Sequence, residues 1–88
     1  MTSRTTSDFR TGLAKLPRDV QRAARASYLL FRDNPSHSSL HFKSVKGLEG
    51  VYSVRISLGY RALGRRDGST IVWFWIGSHD EYDKLLSM

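Results

Sequence analysis

The sequence contains no cysteine and no long apolar run. The missing cysteines exclude disulfide bonds, zinc–thiolate sites and a cysteine nucleophile. No apolar segment approaches the roughly 18 residues that a membrane-spanning helix needs, and the polar start of the chain lacks the apolar stretch of a signal peptide. We therefore expect a soluble, cytoplasmic protein without a membrane partner. The length of 88 residues predicts one domain over residues 1–88.

Acidic side chains are scarce over most of the chain. Residues 1–66 carry 13 basic and 4 acidic side chains, whereas residues 67–88 carry one basic and four acidic ones, which gives the net charge of +6. A basic body predicts a polyanionic partner such as nucleic acid, although a solvated surface that aids solubility explains the same composition. The chain has no room for a cofactor domain, so we expect no cofactor and chemistry carried by side chains alone.

The N-terminal half has the period of two helices joined by a tight break. Ser7 or Asp8 is a suitable cap for a helix that runs to about Lys15, and Pro17 fits the first turn of a second helix. The first six residues allow either a short edge strand or a frayed end. A buried stripe is expected on the second helix, formed by Val20, Ala23, Ala24, Ser27 and Phe31.

From residue 51 the pattern changes to that of strands. Residues 51–57 alternate apolar and polar, residues 60–65 form a return strand, and the apolar residues 70–76 predict a central strand covered on both faces. The Ser78–Glu81 spacing is that of a capping box before a short final helix. The predicted fold is α+β, with an N-terminal helical hairpin packed on a small antiparallel sheet of three to four strands and a short C-terminal helix.

Six short motifs occur in a fixed order along these elements. They are Leu-Pro-x-x-Val at 16–20, Asn34-Pro35, Leu40-x-Phe42-Lys43-x-Val45-x-Gly47, Tyr52-Ser-Val-Arg-Ile56, Gly59-Tyr60-Arg61 and Gly77-Ser78-His79-Asp80-Glu81-Tyr82. Over residues 9–86 the chain resembles the RelE/ParE superfamily of bacterial type II toxin–antitoxin toxins. The resemblance implies a cognate antitoxin as partner. It also implies one of two activities: RelE-like members cleave mRNA on the ribosome, whereas ParE-like members inhibit DNA gyrase without cutting RNA.

Two arginines flank the predicted turn between the first two long strands, and the strand register decides whether they share a face. A two-residue loop pairs Ser57 with Tyr60 and puts Arg55 and Arg61 on different faces, whereas a three-residue loop pairs Ser57 with Arg61 and puts them on one face. The residues alone leave both registers open. The resemblance favours the second register, because RelE-like toxins have an active-site lysine and arginine at the positions of Arg55 and Arg61. We therefore expect both arginines to hold the scissile phosphate.

The last motif supplies two further catalytic candidates. An imidazole takes up and releases protons at cellular pH, so His79 suits proton transfer, although an ordinary surface histidine is the alternative. Family members with a similar Gly-x-His ending use that histidine as an acid or base. Tyr82 lies one helical turn away and can reach the same side. The resemblance gives it an assisting role at the cleavage site, and the alternative is packing with Leu85 and Leu86.

Other basic side chains are candidates for the RNA backbone, against the alternative of a solvated surface. They are His41, Lys43, Lys46, Arg65 and Arg66. His37 and His41 alone do not supply the three or four ligands of a metal site, so no metal is expected. Ser53 departs from the RelE-like pattern, which has a second lysine there. The aromatic run at residues 73–75 is interpreted as core rather than as a base-stacking surface.

The sequence therefore predicts the toxin of a type II pair that acts as a metal-independent endoribonuclease and inhibits translation. Its expected partners are a cognate antitoxin, mRNA and the ribosome. Two alternatives stay open at this point, a ParE-like gyrase inhibitor without nuclease activity and a non-catalytic RNA-binding module.

Overall fold

The computed structural model describes residues 1–87 as one five-stranded sheet with helices packed against it. The elements in chain order are β1 (Thr2–Thr5), α1 (Ser7–Ala14), α2 (Arg18–Asp33), a 3-10 turn (Ser38–Leu40), β2 (Lys43–Ser44), β3 (Val51–Ser57), β4 (Tyr60–Asp67), β5 (Thr70–Ser78) and α3 (His79–Leu86). Within residues 1–87, no helix has the length and apolar character needed to cross a membrane.

The sheet has the strand order β1-β5-β4-β3-β2, in which β1 runs parallel to β5 and the other neighbours are antiparallel. The expectation of three to four antiparallel strands is therefore wrong, because the N-terminal residues add a fifth, parallel strand. The Thr2 N–H donates to the Ser69 carbonyl over 2.8 Å, and the Trp73 indole N–H donates to the Ser3 hydroxyl over 2.7 Å. Of the two alternatives predicted for the first six residues, the edge strand is therefore correct and the frayed end is not.

The predicted helical hairpin is confirmed, with small differences at its ends. The N-cap of α1 is Thr6 rather than Ser7 or Asp8, because the Phe9 N–H donates to the Thr6 hydroxyl. Helix α2 begins directly after Pro17 and ends before Asn34. The helix α2 stripe is buried at Val20, Ala24 and Phe31.

The core lies between the helical hairpin and one face of the sheet. Phe31 of α2 makes edge-on ring contacts with Phe42 and Trp73, at centroid distances of 4.9 and 5.3 Å. Edge-to-face packing is a favoured arrangement of aromatic rings, and Trp73 is only 4% exposed. Helix α2 and the centre of the sheet are therefore held together by one aromatic cluster.

A bulge in β5 separates the two tryptophans of the apolar strand. Leu63 pairs with Trp75 and the next residue, Gly64, pairs with Trp73, so Phe74 has no partner on β4. In a regular strand, residues two apart lie on the same face, but an extra residue between them changes the face. Trp73 lies in the core, whereas Trp75 lies on the opposite face beside Tyr82. The interpretation of the whole run as core is therefore wrong for Trp75.

Candidate active site on the sheet face opposite the helices

Four basic side chains lie on the sheet face that the helical hairpin leaves uncovered. Val54 and Ala62 are paired and belong to the core, so the next residues along each strand, Arg55 and Arg61, lie on the other face. The same alternation places Arg65 on this face. Lys43 lies on this face as well, because of its pairing with the neighbouring strand. We call this surface, formed by Lys43, Arg55, Arg61 and Arg65, the basic sheet face.

The strand register combines features of both predicted loops. Ser57 pairs with Tyr60 across a two-residue loop, so the predicted three-residue loop is wrong. An irregularity at Ile56 shifts the register by one residue, and Arg55 then pairs directly with Arg61. The prediction that the two arginines share a face is thus confirmed, although a bulge rather than a longer loop is the cause.

The β3–β4 turn is joined to the start of α3. The His79 N–H donates to the Gly59 carbonyl over 2.8 Å, and Arg61 pairs with Gly77 just before His79. The backbone at His79 is thereby fixed at the end of the sheet where Arg55 and Arg61 lie. Three of the four predicted catalytic residues are brought to one place by this arrangement.

The aromatic ring of Tyr82 lies between His79 and Trp75. Its ring centroid is 6.2 Å from the His79 ring and 6.4 Å from Trp75. Helix α3 buries none of its described side chains, and Leu85 is 42% exposed. Tyr82 therefore faces the same side as His79, as predicted, rather than joining a buried stripe with Leu85 and Leu86.

The predicted capping box fixes the first turn of α3. The Glu81 carboxylate accepts hydrogen bonds from the Ser78 backbone N–H and hydroxyl, both at 3.0 Å, and the Glu81 N–H donates to the Ser78 hydroxyl. The bond from the backbone N–H, followed by the bond from the hydroxyl, lowers the pKa of the Glu81 carboxyl below its ordinary value. This box sets the direction in which α3, and with it His79, leaves the sheet.

The guanidinium of Arg61 is partly used within the turn. Its Nη1 donates to the carbonyls of Ser57 and Tyr60 over 2.9 and 3.0 Å. Its Nη2 and Nε make no hydrogen bond within residues 1–87, and an arginine has five N–H donors in all. Arg61 can therefore brace the turn and still offer donors to a phosphate group.

The basic side chains of this face have no acidic partner within residues 1–87. In that range, the close contacts between basic and acidic side chains are those of Arg32 with Asp33 and of the His79 ring with Asp83. No carboxylate in that range pairs with a residue of the basic sheet face. The same range contains no cluster of three potential metal ligands.

The predicted RNA-binding residues do not all lie together. Lys43 and Arg65 belong to the basic sheet face, whereas Arg66 lies on the helical side, with its guanidinium 5.7 Å above the centre of the Tyr52 ring. His41 and Lys46 are exposed in the connections on either side of β2. The structure therefore groups two of these five residues with the arginine pair and separates Arg66 from it.

Sequence reasoning missed one residue beside His79 and one beside Tyr82. Asp83 approaches the ring with its carboxylate, and the signal for this contact was the i, i+4 spacing within a helix. Trp75 was assigned to the core because nothing in the sequence marks the bulge at Phe74. Ser53, which replaces a lysine of RelE-like toxins, is buried at 2% exposure and so offers no contact to a substrate.

A groove between α1 and α2 lies away from these residues. It encloses about 800 Å³ and contains none of the predicted catalytic residues. Its lining combines apolar side chains with arginines, among them Leu13, Leu29, Arg10, Arg18, Arg22 and Arg25. We call it the helix groove. Enclosure alone does not identify the reactive site here, because a long RNA strand binds to an open charged surface.

Comparison with known proteins identifies relatives of the whole fold. The family model described as ParE-like toxin domain matches residues 18–84. No curated protein matches the chain. A similar solved structure is that of the RelB–RelE antitoxin–toxin complex from Methanococcus jannaschii, with 17% identity, a TM-score of 0.76, and coverage of 93% of this chain and 96% of that chain.

Two other solved structures differ widely in their sequence identity to this chain. The toxin–antitoxin complex RelBE2 from Mycobacterium tuberculosis has 29% identity and a TM-score of 0.62, with 89% of this chain and 96% of that chain covered. YafQ from Escherichia coli has 7% identity and a TM-score of 0.73, with 91% and 94% covered. The fold is thus shared over nearly the full length of both.

Proposed function

This chain belongs to the ParE-like toxin domain family, and we propose that it is the toxin of a type II toxin–antitoxin pair that cleaves mRNA on the ribosome without a metal ion. The observation that carries the proposal is the hydrogen bond between the His79 N–H and the Gly59 carbonyl. This bond holds the His79 backbone at the strand end where Arg55 and Arg61 are paired, and an imidazole at that position supports the proposed proton transfer.

The proposed reaction is attack of a ribose 2′-oxygen on the adjacent phosphorus. A base must remove the 2′-hydroxyl proton, donors must stabilise the charge on the phosphate oxygens, and an acid must protonate the leaving 5′-oxygen. His79 transfers the proton, Tyr82 assists at the leaving oxygen, and Arg55 and Arg61 hold the phosphate. The P–O5′ bond breaks as the P–O2′ bond forms, which yields a 2′,3′-cyclic phosphate and a 5′-hydroxyl.

The unneutralised charge of the basic sheet face supports RNA as the substrate. Lys43 on β2 and Arg65 on β4 both lie farther from the β3–β4 turn than the arginine pair, and a row of cations follows a phosphate backbone without requiring a closed pocket. His41 and Lys46 add contacts from the connections beside β2. Arg66, on the other side of the sheet, contributes to the overall field rather than to the same strand of RNA.

The helix groove is the surface proposed for the cognate antitoxin. Related structures contain antitoxins, as in the RelB–RelE complex from Methanococcus jannaschii and the DinJ–YafQ complex from Escherichia coli. An amphipathic helix buries its apolar face in such a groove, and acidic side chains on that helix complement the surrounding arginines. Substitution of Arg22 and Arg25 by glutamate is expected to weaken antitoxin binding while RNA cleavage by the free toxin is retained.

Induced expression in bacteria tests the proposed function directly. Cellular mRNA is mapped for new 5′-hydroxyl ends, protein synthesis is measured by pulse labelling, and DNA supercoiling is measured in the same culture. New ends with an early loss of translation are expected. Intact mRNA together with double-strand DNA breaks would instead establish gyrase inhibition, the activity that the ParE-like family description favours as the second candidate.

A further inference from the structure

We propose that Asp83 is a positioning residue that holds the His79 ring with its Nδ1 protonated and its Nε2 directed toward the RNA; this inference rests on the proposed function. The Nδ1 atom of His79 lies 3.2 Å from the Asp83 Oδ2 atom, one helical turn further along α3. Within residues 1–87, Nε2 of His79 has no hydrogen-bond partner. The ring is 46% exposed, so this nitrogen is open to a substrate.

The chemistry of the two groups decides which nitrogen acts. An ionised carboxylate has no hydrogen to donate and repels a lone pair, so the contact with Asp83 favours the neutral imidazole that carries its hydrogen on Nδ1. The lone pair then lies on Nε2, which is the form that removes a proton from a 2′-hydroxyl. Once Nε2 is protonated, the hydrogen on Nδ1 still faces the Asp83 carboxylate.

His79 is held at two levels. Its backbone N–H donates to the Gly59 carbonyl over 2.8 Å, and its Nδ1 atom is in contact with the Asp83 carboxylate at 3.2 Å. The Tyr82 ring, 6.2 Å away and tilted by 35°, borders the same space. Together these contacts restrict both the position of the residue and the rotation of its side chain, which is what proton transfer at a fixed distance requires.

A neighbouring carboxylate supplies a matched control. Asp80 lies in the same first turn of α3 and carries the same charge, but it makes no hydrogen bond or ion pair with His79. The variant Asp80→Asn therefore removes one negative charge near the site without removing the acceptor of Nδ1. The variant Asp83→Ala removes both the negative charge and the oxygen that faces Nδ1. The variant Asp83→Asn removes the charge but keeps an amide oxygen that can still accept from Nδ1.

The test measures the tautomer first and the rate second. Nitrogen-15 chemical shifts of the His79 ring are recorded on the full chain without RNA, at a pH where the ring is neutral. The Nδ1–H tautomer is expected to dominate in the wild-type chain and in Asp80→Asn, and to lose its dominance in Asp83→Ala. Single-turnover cleavage of ribosome-bound mRNA is then expected to slow by roughly tenfold in Asp83→Ala, which is a fraction of the ~10²–10⁴-fold effect of proton transfer itself. Asp83→Asn should recover part of this rate, and KM should stay unchanged in both variants.

Each result bears on the inference separately from the proposed function. A wild-type ring with its hydrogen on Nε2, or equal tautomer shifts in Asp83→Ala and Asp80→Asn, would overturn the role of Asp83. Equal rate losses in those two variants would overturn it as well. A wild-type chain that cleaves no RNA would refute the proposed nuclease, whereas the tautomer measurement would still decide whether Asp83 fixes the ring.

Discussion

The basic sheet face and the helix groove carry similar charge but have different neighbours. Arg55 and Arg61 of the sheet face flank the turn that binds the His79 backbone, and the His79 ring lies 6.2 Å from the Tyr82 ring. The arginines of the helix groove surround apolar side chains instead, with Tyr28 and Leu29 37% and 41% exposed. No histidine lines that groove.

This difference shows why positive charge alone does not assign a function. Arginine holds phosphate oxygens and acidic side chains equally well, because its guanidinium donates in a fixed fork to either. What separates the two surfaces is the group next to the charge. A proton-transfer residue suits bond cleavage, whereas exposed apolar area suits a folded protein partner.

Removal of the imidazole is the largest expected effect on the sheet face. His79→Ala should lower RNA cleavage by ~10²–10⁴-fold, because general acid–base catalysis is commonly worth that much. The measurement is single-turnover cleavage of ribosome-bound mRNA. His37→Asn is the control, since an asparagine at position 37 can still cap the 3-10 turn. A loss well under tenfold for His79→Ala would remove it from the catalytic step.

A methyl group added in the core should affect stability rather than chemistry. At Gly64, a Cβ atom would lie 2.7 Å from a Trp73 ring atom and 2.8 Å from Ile71 on the helical side. Overpacking of this kind costs about 1–3 kcal/mol. Gly64→Ala should therefore lower the free energy of unfolding in a denaturant titration, and an unchanged midpoint would show that the aromatic core yields easily.

The same change at Gly77 tests the sheet face instead. A Cβ atom there would lie 2.6 Å from the Trp75 indole and 3.1 Å from the Glu81 carboxylate, so the Trp75 ring must move and the carboxylate that caps α3 is crowded. Gly77→Ala should slow cleavage more than it lowers stability. Gly59→Ala is the matched control, because no atom lies within 4 Å of its Cβ position. Equal activity in the two variants would contradict a fixed placement of α3.

Much of this arrangement was predictable from the sequence. The helical hairpin follows from the period of its apolar residues, and the capping box follows from the Ser78–Glu81 spacing. The first strand was predictable only as one of two alternatives, since four polar residues become a strand only when β5 supplies the partner. Polar strands of this kind depend on tertiary pairing more than on intrinsic propensity.

The two bulges were not predictable, and both affect the site. The irregularity at Ile56 brings Arg55 opposite Arg61, and the one at Phe74 moves Trp75 to the face of Tyr82. A bulge changes the face of every later residue in a strand, but no residue type in this sequence marks its position. The resemblance to known toxins suggested the shared face of the arginines without giving its cause.

The smallest expected effect concerns the pH dependence of α3. Hydrogen bonds from Ser78 lower the pKa of the Glu81 carboxyl in the folded chain. The ionised carboxylate therefore stabilises the start of α3 fully above the ordinary carboxyl pKa, and this stabilisation is lost as the pH falls through the lowered pKa. Amide exchange at the start of α3 should therefore speed up at acidic pH. Glu81→Gln keeps the capping hydrogen bonds and should weaken this dependence. An identical acid response in both proteins would assign the effect to another group.

We expect RNA to be cleaved on the basic sheet face and not at the helix groove. The test is single-turnover cleavage of ribosome-bound mRNA by two double variants that remove the same charge. One variant carries Arg55→Ala with Arg61→Ala, and the other carries Arg22→Ala with Arg25→Ala. Unfolding midpoints of both variants control for the loss of the hydrogen bonds that Arg61 makes in the turn. The first variant should lose at least about 10²-fold in rate, the scale expected when donors to a developing charge are removed. The second should stay within a few-fold of the wild-type rate. Equal losses, or a larger loss at the helix groove, would contradict the account.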